Sequence, residues 1–237
     1  HMRAVDMLAA LVIFAGCEYC TAQAQTPVPT TLKQEAGASG ATPAAQPPSD
    51  AVLAFEKRLA AVDAKMSTVA DLQADFEQLK KTAMLKKPMI SQGSLLCKGE
   101  KVLWRTTHPR KSDMLVSDGK VTIYHPQDEL AEVYPMGSGF KDAAGGPLPK
   151  LSKLRENFEF TEIDVQQMVI GTGARDMKGR IAMKLTPKTE ELKRHVASVR
   201  VLIDESIPCA DRIVIVDPEG DETELRFTAV RINVGLK

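Results

Sequence analysis

Between residues 49 and 66 the apolar positions return every three or four residues. Phe55, Leu59, Val62 and Met66 fall on one stripe, the spacing of a helix that buries one face. Ser49 ahead of Asp50 supplies a side-chain oxygen for a free amide of the first turn. The pattern predicts a helix over 50–66. From Leu72 the reading divides: Leu72, Phe76 and Leu79 continue the helical period, while Leu72-x-Ala74-x-Phe76 also alternates as a strand does. After Pro88 alternation takes over, with strands expected near 91–98, 101–107, 112–117, 120–125 and 129–135. Asp118-Gly119 carries the hairpin signal, because both residues tolerate the positive φ of a type I′ turn. That turn sets Ser117 against Lys120, Val116 against Val121 and Met114 against Ile123.

Residues 138–158, "SGFKDAAGGPLPKLSKLRENF", read as a Gly-rich loop entering a short amphipathic helix over 147–157, with Leu148, Leu151, Leu154 and Phe158 on one side. Strands resume near 158–170, 180–186, 196–204, 211–217 and 223–232, and "DPEGDE" (217–222) connects the last two as a hairpin. Strands joined by tight turns pair antiparallel. The fold class expected is α+β, mostly β: one antiparallel sheet of about ten strands, which curls, with two helices too few to cover it. Such a curl leaves a concave apolar face suited to an apolar ligand.

The 31 Lys+Arg balance 31 Asp+Glu, against a general nucleic-acid binder, which needs a basic surplus. Lys80, Lys81, Lys86 and Lys87 flank one loop and read as a solvated face. At the N-terminus Arg3 precedes "MLAALVIFAG" (7–16), too short to span a bilayer but suited to an export signal. Ala22-Gln23-Ala24 offers a cut before Gln25, giving a signal peptide over 1–24. "FAGC" offers the alternative of a lipidated Cys17, disfavoured by Phe14 where that motif usually carries an aliphatic. Residues 25–48 are Pro, Ala, Thr, Gly and Ser with little to bury, a disordered tether before a domain over 49–237.

Cys17-Glu18-Tyr19-Cys20 lies inside the signal and is read as neither redox nor metal-binding. Cys97 and Cys209 could join in an exported protein or stand as two small core residues. His108, His125 and His195 lack ligand spacing, so no metal is expected. "GTGAR" (171–175) is a lone G-x-G and reads as a turn, and no G-x-S-x-G elbow exists. No cofactor and no catalytic residue is expected. Met114, Val116, Val121 and Ile123 are read as groove lining, and Trp104 as either a core aromatic under the helices or a surface for an apolar ligand.

"ADFEQ" (74–78), "GSLLCKGEKVLWRTTHP" (93–109), "LVSDGKVTIYHP" (115–126), "AEVYP" (131–135) and the closing "LIDESIPCADRIVIVDPEGDETELRFTAVRINVGL" (202–236) resemble, in the same order, the LolA-like outer-membrane lipoprotein carriers. The resemblance runs from about residue 52 to 237. It implies an incomplete β-barrel with a helical lid, strand rather than helix from about Thr68, and lid helices over 50–66 and 147–157. It implies a non-enzymatic periplasmic carrier of lipoproteins or other acylated lipids, served by an inner-membrane release complex and an outer-membrane receiver. It adds Phe76 and Val102 to the lipid-binding lining. Lys98 takes the place of the family's basic residue, six positions before the tryptophan, that clasps the lid shut; lysine lacks the flat fork of arginine. Arg105 is another rim candidate, but alternation turns it away from Trp104. The alternative function is a membrane-anchored lipid sensor or receiver using the same groove. The family usually continues into a further strand, so the Thr223–Val234 strand is expected to present an exposed edge.

Overall fold

Helix α1 (Asp50–Met66) begins where its cap places it: Ser49 is extended, and its side chain accepts from the Val52 amide at 3.4 Å. Asp50 in the first turn and Lys65 in the last complement the helix dipole. The structure, a computed structural model, describes residues 49–135, 151–168, 177–207 and 209–237. The expected signal, tether, Gly-rich loop, Leu148 and "GTGAR" turn lie outside the described residues.

Eleven strands follow: β1 (Asp71–Lys81), β2 (Met89–Lys98), β3 (Lys101–His108), β4 (Ser112–Ser117), β5 (Lys120–His125), β6 (Leu130–Pro135), β7 (Phe158–Glu162), β8 (Arg180–Pro187), β9 (Ser198–Asp204), β10 (Cys209–Val216) and β11 (Glu222–Ile232). Helix α2 (Leu151–Asn157) precedes β7, and one-turn helix α3 (Glu190–Lys193) links β8 to β9. They form a single antiparallel sheet in the order β6-β5-β4-β3-β2-β1-β11-β10-β9-β8-β7, curled but not closed. The 72–79 ambiguity resolves as strand, because β1 is paired along its length with β2 and β11. The hairpin register is as expected: Ser117 opposes Lys120, Val116 opposes Val121 and Met114 opposes Ile123.

Three expectations need correction. The strand near 158–170 stops at Glu162; the chain then bends into a 3₁₀ turn (Val165–Met168) that crosses the outer face. There Met168 packs on Ala182, Leu202 and Val214 in a second small core. Helix α3 was not foreseen, since a single turn carries no repeating stripe, although Thr189 caps it through the Leu192 amide. The Thr223–Val234 segment has no free edge: β11 lies mid-sheet, hydrogen-bonded to β1 on one side and β10 on the other. Among the described residues the outermost strands are β6 and β7. The edge was expected from the further strand that the resemblance implied; instead the two halves of the sheet join through β1 and β11.

The main core sits on the concave side. Phe55, Leu59 and Val62 of α1, and Leu151 and Leu154 of α2, are buried there against the inward residues of both halves.

Candidate functional site: the lidded apolar groove

Alternation turns every second residue of β1 to β6 inward, and the register aligns those residues into rows. One row runs Leu72, Cys97, Val102, Val116, Val121, Tyr134. The adjacent row runs Ala74, Leu95, Trp104, Met114, Ile123, Glu132. Six of the seven expected lining residues therefore fall side by side in two rows, all buried. Phe76, the seventh, lies opposite Gly93 and meets Trp104 edge-on, with ring centroids 5.0 Å apart. Phe227 of β11 approaches the other side of Trp104 at 6.0 Å. Trp104 is thus packed in the core, in contact with Phe76 and Phe227.

Gly93 makes this packing possible and was not singled out in the sequence. A Cβ there would lie 2.0 Å from the Arg105 carbonyl oxygen and 2.8 Å from a Phe76 ring carbon. A lone glycine inside an alternating strand is the available signal, since it marks a close backbone approach.

The lid is held at its rim by polar contacts. Arg58 of α1 donates from Nε to Glu205 Oε1 at 3.0 Å, from Nη2 to Glu205 Oε2 at 3.2 Å and to the Arg180 carbonyl at 2.8 Å. Lys65 donates to the Glu205 carbonyl at 2.6 Å. The Arg58 hydrogen bond holds the Glu205 carboxyl below its ordinary value. Asp63 of α1 accepts the Leu151 amide at 2.9 Å, and Arg155 of α2 pairs with Glu56 at 2.5 Å, tying the two helices together.

Arg58 and Lys65 are basic residues that bond α1 to the sheet rim. Register sets Lys98 across from Asp71, at the end where the C-terminal segment folds over β1. There the Lys98 ammonium donates to the Leu236 carbonyl, and among the described residues no bond joins it to a carbonyl of α1 or α2. Buried Asp71 anchors the same segment, accepting the amides of Val234, Gly235 and Leu236 at 2.6–2.9 Å. The sequence did not reveal Arg58 because 147 residues separate it from Glu205. Arg105 points outward and pairs with Asp113 at 3.2 Å, as alternation requires.

Chemically the groove offers contact area and little else. Cys97 and Cys209 are free and buried; burial drives the Cys97 thiol far up and pushes that of Cys209 up to about 12, so both stay protonated. Among the described residues no three His, Cys, Asp or Glu side chains converge as metal ligands. His125 stands 3.8 Å from Glu132 at the end of one row.

An incompletely closed antiparallel sheet with helices packed over its apolar concave face defines the class of fold. The sequence model of the family described as "Outer membrane lipoprotein carrier protein LolA" matches residues 67–237. The chain belongs to that family, a family of cell-envelope carriers. No curated protein sequence matches it. Among solved structures it is similar to MucB in complex with MucA from Pseudomonas aeruginosa (14% identity, TM-score 0.43, 78% of this chain and 58% of that one). It is also similar to a LolA superfamily protein from Nitrosomonas europaea (10%, TM-score 0.39, 76% and 93%). A third is the Mycobacterium tuberculosis lipoprotein LppX (12%, TM-score 0.41, 80% and 99%). The chain thus spans less than two thirds of that MucB chain.

Proposed function

We propose that this protein carries lipoprotein acyl chains, or those of another lipid, in the groove beneath α1, and does so without catalysis. The observation that supports this most is the lid itself. Phe55, Leu59 and Val62 lie buried in the main core, while α1 is fixed to the rim through Arg58 and Lys65. An acyl chain takes the place of those three side chains against the Trp104 and Val116 rows, at ~0.8 kcal/mol per methylene buried. Binding therefore needs no polar recognition, and release needs only a receiver with a more favourable apolar site. On this reading the lipid-binding residues are Phe76, Val102, Trp104, Met114, Val116, Val121 and Ile123.

The partners would be an inner-membrane complex that loads the groove and an outer-membrane receiver that empties it, with the carrier exported to the periplasm. Mass spectrometry of lipids extracted from the protein purified from its own cells tests the cargo. Stoichiometric acylated lipid is the expected result; apolar extracts without lipid would defeat the reading. Intact mass of the same material settles shuttle against anchored receiver: a chain starting at Gln25 fits the shuttle, a diacylglyceryl adduct on Cys17 the receiver.

A further inference from the structure

The β1–β2 hairpin carries exposed apolar side chains at its tip. Met84 is 94% exposed, Leu85 47% and Ile90, just inside β2, 43%. Lys81 precedes the tip, and Lys86 and Lys87 follow it, all exposed. The tip is held in shape: the Leu85 amide donates to the Thr82 carbonyl at 3.2 Å, and the Ala83 amide to Asp221 Oδ1 at 3.1 Å. The neighbouring β10–β11 turn is acidic: Glu222 is paired with Lys81 and Arg200, whereas Asp217 and Asp221 accept backbone amides and keep their charge, as does Glu219. Lys86 and Lys87 make no ion pair among the described residues.

We infer that this tip docks on an anionic phospholipid bilayer. Met84 and Leu85 enter beneath the headgroups while Lys86 and Lys87 meet the lipid phosphates. A protein partner fits less well, since a stable protein interface needs about 1,000 Å² or more and a narrow tip with two apolar side chains offers far less. A bilayer asks only that a few side chains insert beside a basic flank. The inference goes beyond carriage in the groove and holds whether or not the groove is loaded.

The test uses the full chain with vesicles of phosphatidylcholine, alone or equimolar with phosphatidylglycerol. Met84→Asp combined with Leu85→Asp should lower partitioning at least about tenfold on anionic vesicles. Lys86→Gln and Lys87→Gln should each cost about fivefold there, and little on neutral vesicles. In a Met84→Trp variant, brominated acyl chains should quench the new tryptophan. The parent, whose single tryptophan is the buried Trp104, reports separately whether lipid enters the groove. Parent and tip variants that partition equally, or that all fail to partition, overturn the docking site. Vesicle partitioning that does not depend on the tip while Trp104 is quenched would do so too, while leaving the carrier reading intact. Capture by a protein in preference to vesicles would likewise contradict it.

Discussion

Val116 sits in the first of the two inward rows, between Val102 and Val121. In Val116→Glu the carboxylate can stay hydrated when the lid opens, but an acyl chain over it forces desolvation of an unpaired charge. Affinity for a fluorescent fatty acid should fall at least about tenfold in a variant whose circular dichroism stays native. Unchanged affinity would remove Val116 from the lining. Gly93 makes a different demand, because the atoms crowding its missing side chain are backbone and a ring held against Trp104. Gly93→Ala should cost about 1–3 kcal/mol in urea unfolding; a variant as stable as the parent would show that β3 can retreat. The inward face of the β4–β5 hairpin was legible in the sequence because alternation fixes a face residue by residue. Lys98 was not, since where a flexible ammonium ends depends on register with a strand and a terminal segment far along the chain.

At the scale of elements, α1 and the β9–β10 turn meet through Arg58 and Glu205. An exposed pair of this kind contributes about 0.2–1 kcal/mol, so Arg58→Leu should speed hydrogen exchange across 50–66 by up to about fivefold. Equal protection would mean that apolar packing alone holds the lid. The clasp also has a pH sense. The Glu205 carboxyl is lowered from its ordinary value of 4.5 by the hydrogen bond from Arg58. Its contribution is complete above that value and is lost as pH falls through the lowered, folded-state value. The protection of α1, corrected for intrinsic exchange, should therefore fall in acid below about 4.5 in the parent, and Glu205→Gln should flatten that fall. A parent with a flat profile would contradict the clasp. Helix α1 was legible from its stripe and cap, whereas α3 and the 3₁₀ turn at 165–168 were not, because single turns have no period to read. The outer-face core beneath the 3₁₀ turn left a trace in "VRVLID" and "RIVIV", whose apolar runs reflect strands buried on both faces.

Across the whole molecule, the position of β11 matters most. Strand β11 joins the two halves of the sheet through β1, and Asp71 fastens the segment beyond it. Hydrogen-bond geometry, not order along the chain, decides which strands are edges, and so pattern gave the strands while their neighbours had to be seen. The lid and both halves of the sheet share one core with Trp104, and Trp104 is the chain's single tryptophan. Its fluorescence thus reports directly on what occupies the groove. Titration with a fatty acid carrying a nitroxide on its acyl chain should quench Trp104 saturably, with unlabelled fatty acid restoring the signal. Emission that stays constant through the titration, with the protein folded, would contradict the claim that acyl chains bind beneath the lid.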